Sequence, residues 1–172
     1  MKSSRTQYTQ QPNLMPTLLE RLKDNHPGKS LESPDEWMVT PARMRELVRD
    51  NLIDILNVTN LEHEIDMARY SHAADSVLNF GIPPLAGRYL SEVPWGDFEK
   101  TIRKAVLRFE PRIIPDSLRV IPPADSGKQR AGNILSFLIQ GMIFMEPYPL
   151  DFMLQSQLDL ETSTFEGLLL NG

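Results

Sequence analysis

Cysteine is absent from the 172-residue chain, which excludes disulfides, thiolate metal sites and thiol catalysis. Long apolar runs are absent too: no stretch approaches the ~18 apolar residues that a membrane-spanning helix requires. Residues 1–11 are polar and lack the apolar centre of a secretory signal, so the expected location is cytoplasmic. Positive charge is in short supply. With 18 Lys+Arg against 23 Asp+Glu, the net charge is −5 and the pI about 5.2. A general nucleic-acid binder needs a basic surface to neutralise phosphates, and this balance argues against one. Aromatic residues make up only 8% and fall mostly at core-periodic positions, so no aromatic-lined sugar cleft is evident.

What is present is globular in character: 41% hydrophobic and 24% charged residues, enough for one ordinary domain with some extra at the ends. Proline is abundant. Fourteen prolines exceed the ~5% norm and mark rigid turns that end elements sharply.

Along the chain, 1–34 reads as an arm containing a short amphipathic helix over Leu14, Leu18, Leu19 and Leu22. Thr40-Pro41 starts the first strong helix, a capping hydroxyl followed by proline at the first helical position. Met44, Leu47, Val48, Leu52, Ile55 and Leu56 then recur at helical spacing, and Asn57 is the expected stop. Residues 61–69 are polar and ambiguous; Ser71–Leu78 suits a short helix or a strand. A second strong helix spans Trp95–Phe109, and Pro111 ends it because the residue before proline is pushed out of the α region. The period then becomes strand-like over Ser117–Ile121, Ile134–Phe144 and Phe152–Asp159. The sequence does not say which strand is an open sheet edge, and Phe152–Asp159 is assigned that place. The fold expected is α+β, a small single domain over 35–162 with helices packed on a short, mostly antiparallel sheet. Residues 163–172 read as a C-terminal tail.

Catalytic and metal signatures are weak. Ser126-Gly127-Lys128 fails as a phosphate loop, because Pro122 stands where a glycine is needed and Gln129 where Ser or Thr is needed. His26, His63 and His72 have no second ligand at metal-site spacing, although His63 lies among Glu62, Glu64 and Asp66. Asn57-Val58-Thr59 has the form of a glycosylation acceptor, without a secretory signal to accompany it. No nucleophile stands beside a base. Glu110 paired with Asp116 or Asp97 would satisfy the two-carboxylate requirement of a glycosidase, but 23 acidic residues guarantee such pairs by chance. The expectation is therefore no catalytic residue, no metal and no cofactor. Lys100, Lys104 and Arg108 form a basic stripe, either a solvated face or a surface for an acidic partner.

Glu110 is physically odd. The C-terminal end of a helix carries partial negative charge, and an acid there is destabilised by a few tenths of a kcal/mol up to ~1. Arg112, just beyond a rigid proline, offers a planar fork matched to a carboxylate. Glu110-Pro111-Arg112 is thus either a local pair that fixes a corner or a stiff presentation of both charges to a partner.

Several segments in order resemble one family. Phe109-Glu110-Pro111-Arg112-Ile113 resembles the Glu-Pro-Arg signature of the TssE family of type VI secretion baseplate subunits. That family is similar to the baseplate wedge protein of contractile phage tails, historically filed as lysozyme-like (GPW-type). Ser76-Val77-Leu78-Asn79-Phe80-Gly81-Ile82-Pro83, Leu18-Leu19-Glu20-Arg21-Leu22 and Val48–Asn57 resemble further family segments; Val58-Thr59 departs from the usual Thr-Arg after the asparagine. The resemblance implies a non-enzymatic subunit beside TssF, TssG and TssK, in a baseplate assembled at the inner membrane. On it the TssB/TssC sheath begins to polymerise, through a unit similar to the sheath's own "handshake" module whose sheet edge accepts strands. It implies that Glu110, Pro111 and Arg112 contact the wedge. Competing readings are a peptidoglycan hydrolase, as the historical name suggests, and a generic protein-interaction domain.

Overall fold

Thr40 accepts a hydrogen bond from the Arg43 N–H at 3.2 Å, and Pro41 opens helix α1 (Pro41–Asn57), as the sequence predicts. The structure is a computed structural model that describes residues 17, 18, 22, 27–30, 39–74, 76–85, 94–122, 130–131, 134–159 and 161–170. The expected helix over Leu14–Leu22 lies outside the described residues apart from positions 17, 18 and 22, as do His26 and the Ser126-Gly127-Lys128 loop.

The six apolar residues of the α1 stripe, Met44 to Leu56, are all buried. After turns over 61–70 come a one-turn helix α2 (Ser71–Ala74) and a 3₁₀ turn (Val77–Asn79). Helix α3 (Trp95–Phe109) buries Phe98, Ile102, Ala105 and Val106. A second 3₁₀ turn (Pro115–Ser117) leads into the sheet: β1 (Arg119–Ile121), β2 (Arg130–Ala131), β3 (Ile134–Ile143), β4 (Leu150–Asp159) and β5 (Thr164–Leu169).

All pairings are antiparallel, in the order β1-β3-β4-β5, with β2 also pairing β3. The fold is α+β, and the inner sheet face carries the core. Phe137, Ile139, Phe152, Leu154, Leu158 and Phe165 alternate with outward residues and meet α1 and α3. Phe98, Phe137 and Phe165 form a chain of edge-on rings with centroids 5.2 and 5.9 Å apart.

Two expectations change. Phe152–Asp159 is not an edge, because β5 pairs along its far side from Leu154 to Asp159. β5 itself lies in the stretch that reads as a tail. Its period-2 signal is faint because Phe165 is the one buried side chain of the strand and Gly167 puts no side chain at an inward position, where Leu154 packs instead.

The segment 76–83 is pinned by main-chain geometry. Ile82 donates to the Val58 carbonyl at 2.9 Å, and Asn60 donates to the Ile82 carbonyl at 2.8 Å. Gly81 sits at φ +108, where a Cβ would lie 2.1 Å from the Val58 oxygen, so only glycine fits. Asn79 is buried, accepts from the Leu61 N–H and donates to the Ala74 carbonyl. This segment locks the exit of α1 to the start of the α3 half.

Candidate functional site

The last turn of α3 closes with the Glu110 N–H donating to Val106 at 2.9 Å, and Pro111 stops the helix. From there the main chain is stitched onto the end of β3. Ile114 donates to Met142 at 2.8 Å, Phe144 donates to Arg112 at 2.7 Å, and Ile113 bridges Ile143. The corner is therefore rigid at its backbone as well as at its proline.

The Glu110 carboxylate is fully buried. Its Oε1 accepts from the Arg112 N–H at 3.1 Å and from Arg112 Nε at 2.7 Å. Its Oε2 accepts from Arg112 Nη2 at 2.7 Å and from Asn51 Nδ2 at 2.7 Å. A carboxylate has about four lone-pair positions, and each is used. The arginine contact is bidentate and charge-assisted, the strong form of such a pair. The sequence left open whether Arg112 balances Glu110 within the chain; it does. The Arg112 side chain keeps 21% exposure, and Pro111 is exposed.

Asn51 was not singled out by sequence. It sits on α1 between Val48 and Leu52, inside the apolar stripe, and also reaches the Phe109 carbonyl at 3.4 Å. An amide at a core-facing helical position is the signal that points to a buried polar partner elsewhere.

The geometry removes Glu110 from general acid–base work, since no solvent or substrate reaches its oxygens. Asp97 stands in the first turn of α3, and at 1.5 Å rise per residue the helix separates it from Glu110 by ~20 Å. That exceeds the roughly 5–9.5 Å of a glycosidase pair. Asn57, the candidate glycosylation acceptor, is spent on the main chain of Phe165.

The basic stripe of α3 is in part neutralised. Lys104 lies 3.2 Å from Glu62, Lys100 lies 3.7 Å from Asp97, and the Arg108 guanidinium lies 5.2 Å from the Phe109 ring centre. Between Lys104, Arg108, Asn60 and Thr101 is a cleft of about 80 Å³, well below the ~300 Å³ where ligand pockets begin.

These features define a class: an α+β domain, with both long helices on one sheet face and a self-neutralised charge corner at the helix-to-sheet junction. The family can also be stated. The model of the baseplate wedge protein gp25 family matches residues 42–148, more than half of the chain, so this chain belongs to that family of phage-type baseplate structural proteins. The matched region includes the Glu110-Pro111-Arg112 corner and β3 and ends before β4. No curated protein and no solved structure matches the chain significantly. Among the described residues, no helix is long and apolar enough to cross a membrane.

Proposed function

We propose that this chain is a TssE-type, non-enzymatic subunit of a type VI secretion baseplate that joins the wedge to the contractile sheath and initiates sheath polymerisation. Membership of the baseplate wedge family is the observation that carries the reading. Its partners are TssF, TssG and TssK on the wedge side and TssB/TssC on the sheath side. Its place is cytoplasmic, in a baseplate at the inner membrane.

Two features of the domain suit these two tasks. The Glu110-Pro111-Arg112 corner is the wedge contact. Because Glu110 is saturated internally, the parts of the corner that reach the surface are the exposed Pro111 ring and the partly exposed Arg112 side chain. The sheath side is the β5 edge, where an incoming strand gains main-chain hydrogen bonds. Buried, saturated Glu110 supports this reading over the hydrolase reading.

Two substitutions separate the tasks. Pro111→Asp leaves the buried pair in place and puts a charge on the exposed corner; co-purification with TssF and TssG should fall at least tenfold with an unchanged melting temperature. Undiminished co-purification would remove the corner from the wedge contact. Leu169→Pro deletes an N–H that points away from β4, so the internal ladder survives. This variant should bind the wedge and fail to nucleate sheaths, scored as fluorescent sheath foci. Foci at the native frequency, from a variant shown to be folded, would overturn sheath initiation through β5.

A further inference from the structure

Sheet edges are templates for pairing unless they are guarded. The two edges here differ. β1 has three residues, and arginines cover its approach: Arg103 donates to the Leu118 and Pro115 carbonyls, and Arg119 to Leu118 and Asp116. β5 has six residues, with neither lysine nor proline. Leu168 within it and Leu170 just after it stand 66% and 50% exposed.

The hydrogen-bonding parity of β5 is fixed by its contacts. Leu170 donates to the Met153 carbonyl at 3.0 Å, so position 170 faces β4. By alternation the N–H and C=O of Phe165, Gly167 and Leu169 face outward. At Phe165 both outward groups are met by one side chain. Its N–H donates to Asn57 Oδ1 at 2.8 Å, and its carbonyl accepts from Asn57 Nδ2 at 3.0 Å. A primary amide presents its C=O and N–H side by side as a peptide group does, so Asn57 stands where a neighbouring strand would. At Gly167 and Leu169 no outward hydrogen bond is formed among the described residues.

We propose that Asn57 is a register stop for strand addition: an extended strand of a partner protein pairs with β5 at Gly167 and Leu169 and ends against the Asn57 amide. This rests on the reading of β5 as the strand-accepting edge and adds the pairing positions and the residue that fixes them. The physical need is specific. A one-residue slip turns every side chain to the wrong face and is self-correcting. A two-residue slip keeps the faces and is not. Blocking Phe165 removes the two-residue slip toward the start of β5.

The chemistry of the incoming strand is set by its neighbours on β5. On the outer face they are Glu166 and Leu168, so the strand carries Lys or Arg opposite Glu166 and a β-branched apolar residue opposite Leu168. On the inner face Gly167 offers no pocket, because Leu154 already fills that space; a Cβ there would lie 3.0 Å from its Cδ1. Selectivity is read on the outer face.

The test uses the isotopically labelled full chain and a short capped peptide in which threonine alternates with lysine and valine. Amide shifts and slowed hydrogen exchange are expected at Gly167 and Leu169, with Phe165 unmoved. In Asn57→Ala, Phe165 should join the footprint and the peptide should bind roughly fivefold tighter, the gain of about one net hydrogen bond. Should Asn57→Ala fail to fold, Asn57→Asp carries the test. It keeps the acceptor for the Phe165 N–H and releases the carbonyl, so the footprint should extend to the Phe165–Glu166 peptide group. A footprint that includes Phe165 in the native chain, one centred on β1, no binding, or self-pairing of β5 between copies without peptide would each overturn the proposal. Sheath assembly by Leu169→Pro would instead overturn the reading of β5 while leaving the peptide footprint intact, so the two failures are distinguishable.

Discussion

A carboxylate without access to water must find its charge balance inside the protein, and Glu110 finds it in Arg112 and Asn51. Breaking such a pair leaves an uncompensated buried charge, which costs about 3–5 kcal/mol, whereas replacing both partners with apolar residues of similar volume is often close to neutral. Glu110→Ala and Arg112→Met should each lower the urea-unfolding free energy by about 3–5 kcal/mol. The double substitution Glu110→Met/Arg112→Met should cost much less than their sum. Additive costs in that cycle would show that the two groups act independently. Gly81 sets a second residue-scale test. At φ +108, with the Val58 oxygen in the way, Gly81→Ala should cost well over ~1 kcal/mol, whereas Gly96→Ala, at a position with open space around it, should be mildly stabilising within its helix. Similar melting temperatures for the two variants would contradict the close packing of residues 58 and 81.

The long elements were legible because each carries its own start, period and stop. Thr40-Pro41 and Asn57 bound α1, Pro111 ends α3, and the alternation of Phe152, Leu154, Ser156 and Leu158 marks β4. What was not legible depends on distant partners. Glu110 and Arg112 could be read as a pair, but their saturation needs Asn51, 59 residues earlier in sequence. β4 reads as an edge until β5 is found, and β5 hides because Gly167 interrupts its pattern. Ser156 sits inside that same pattern. It follows the buried alternation of β4, yet its Oγ is buried with no hydrogen-bond partner among the described residues. An unsatisfied buried hydroxyl carries a desolvation penalty of about 1–3 kcal/mol. Ser156→Ala should therefore raise the unfolding free energy by up to about that range, and a lowered melting temperature would mean that the hydroxyl has a partner.

At the scale of the whole molecule, β5 belongs to the folded unit. Phe165 is buried, its ring meets Phe137 edge-on, and the Asn57 amide clamps its main chain to the end of α1. Removing residues 163–172 would uncover Leu154 and Leu158 and take away the Phe165 ring, whose loss alone costs about 3–5 kcal/mol when a buried Phe becomes Ala. A domain of this size has only about 5–15 kcal/mol in hand. The truncated chain should aggregate or melt many degrees lower, followed by circular dichroism and light scattering. The other end should behave differently. Among the described residues, those before Val39 are exposed and Val39 is the first that is buried. Deleting residues 1–34 should leave the melting temperature within a few degrees of the full chain, with any loss falling on assembly. If the two deletions had equal effects on stability, the folded unit would not run from α1 to β5, and β5 could not serve as a fixed edge for an incoming strand.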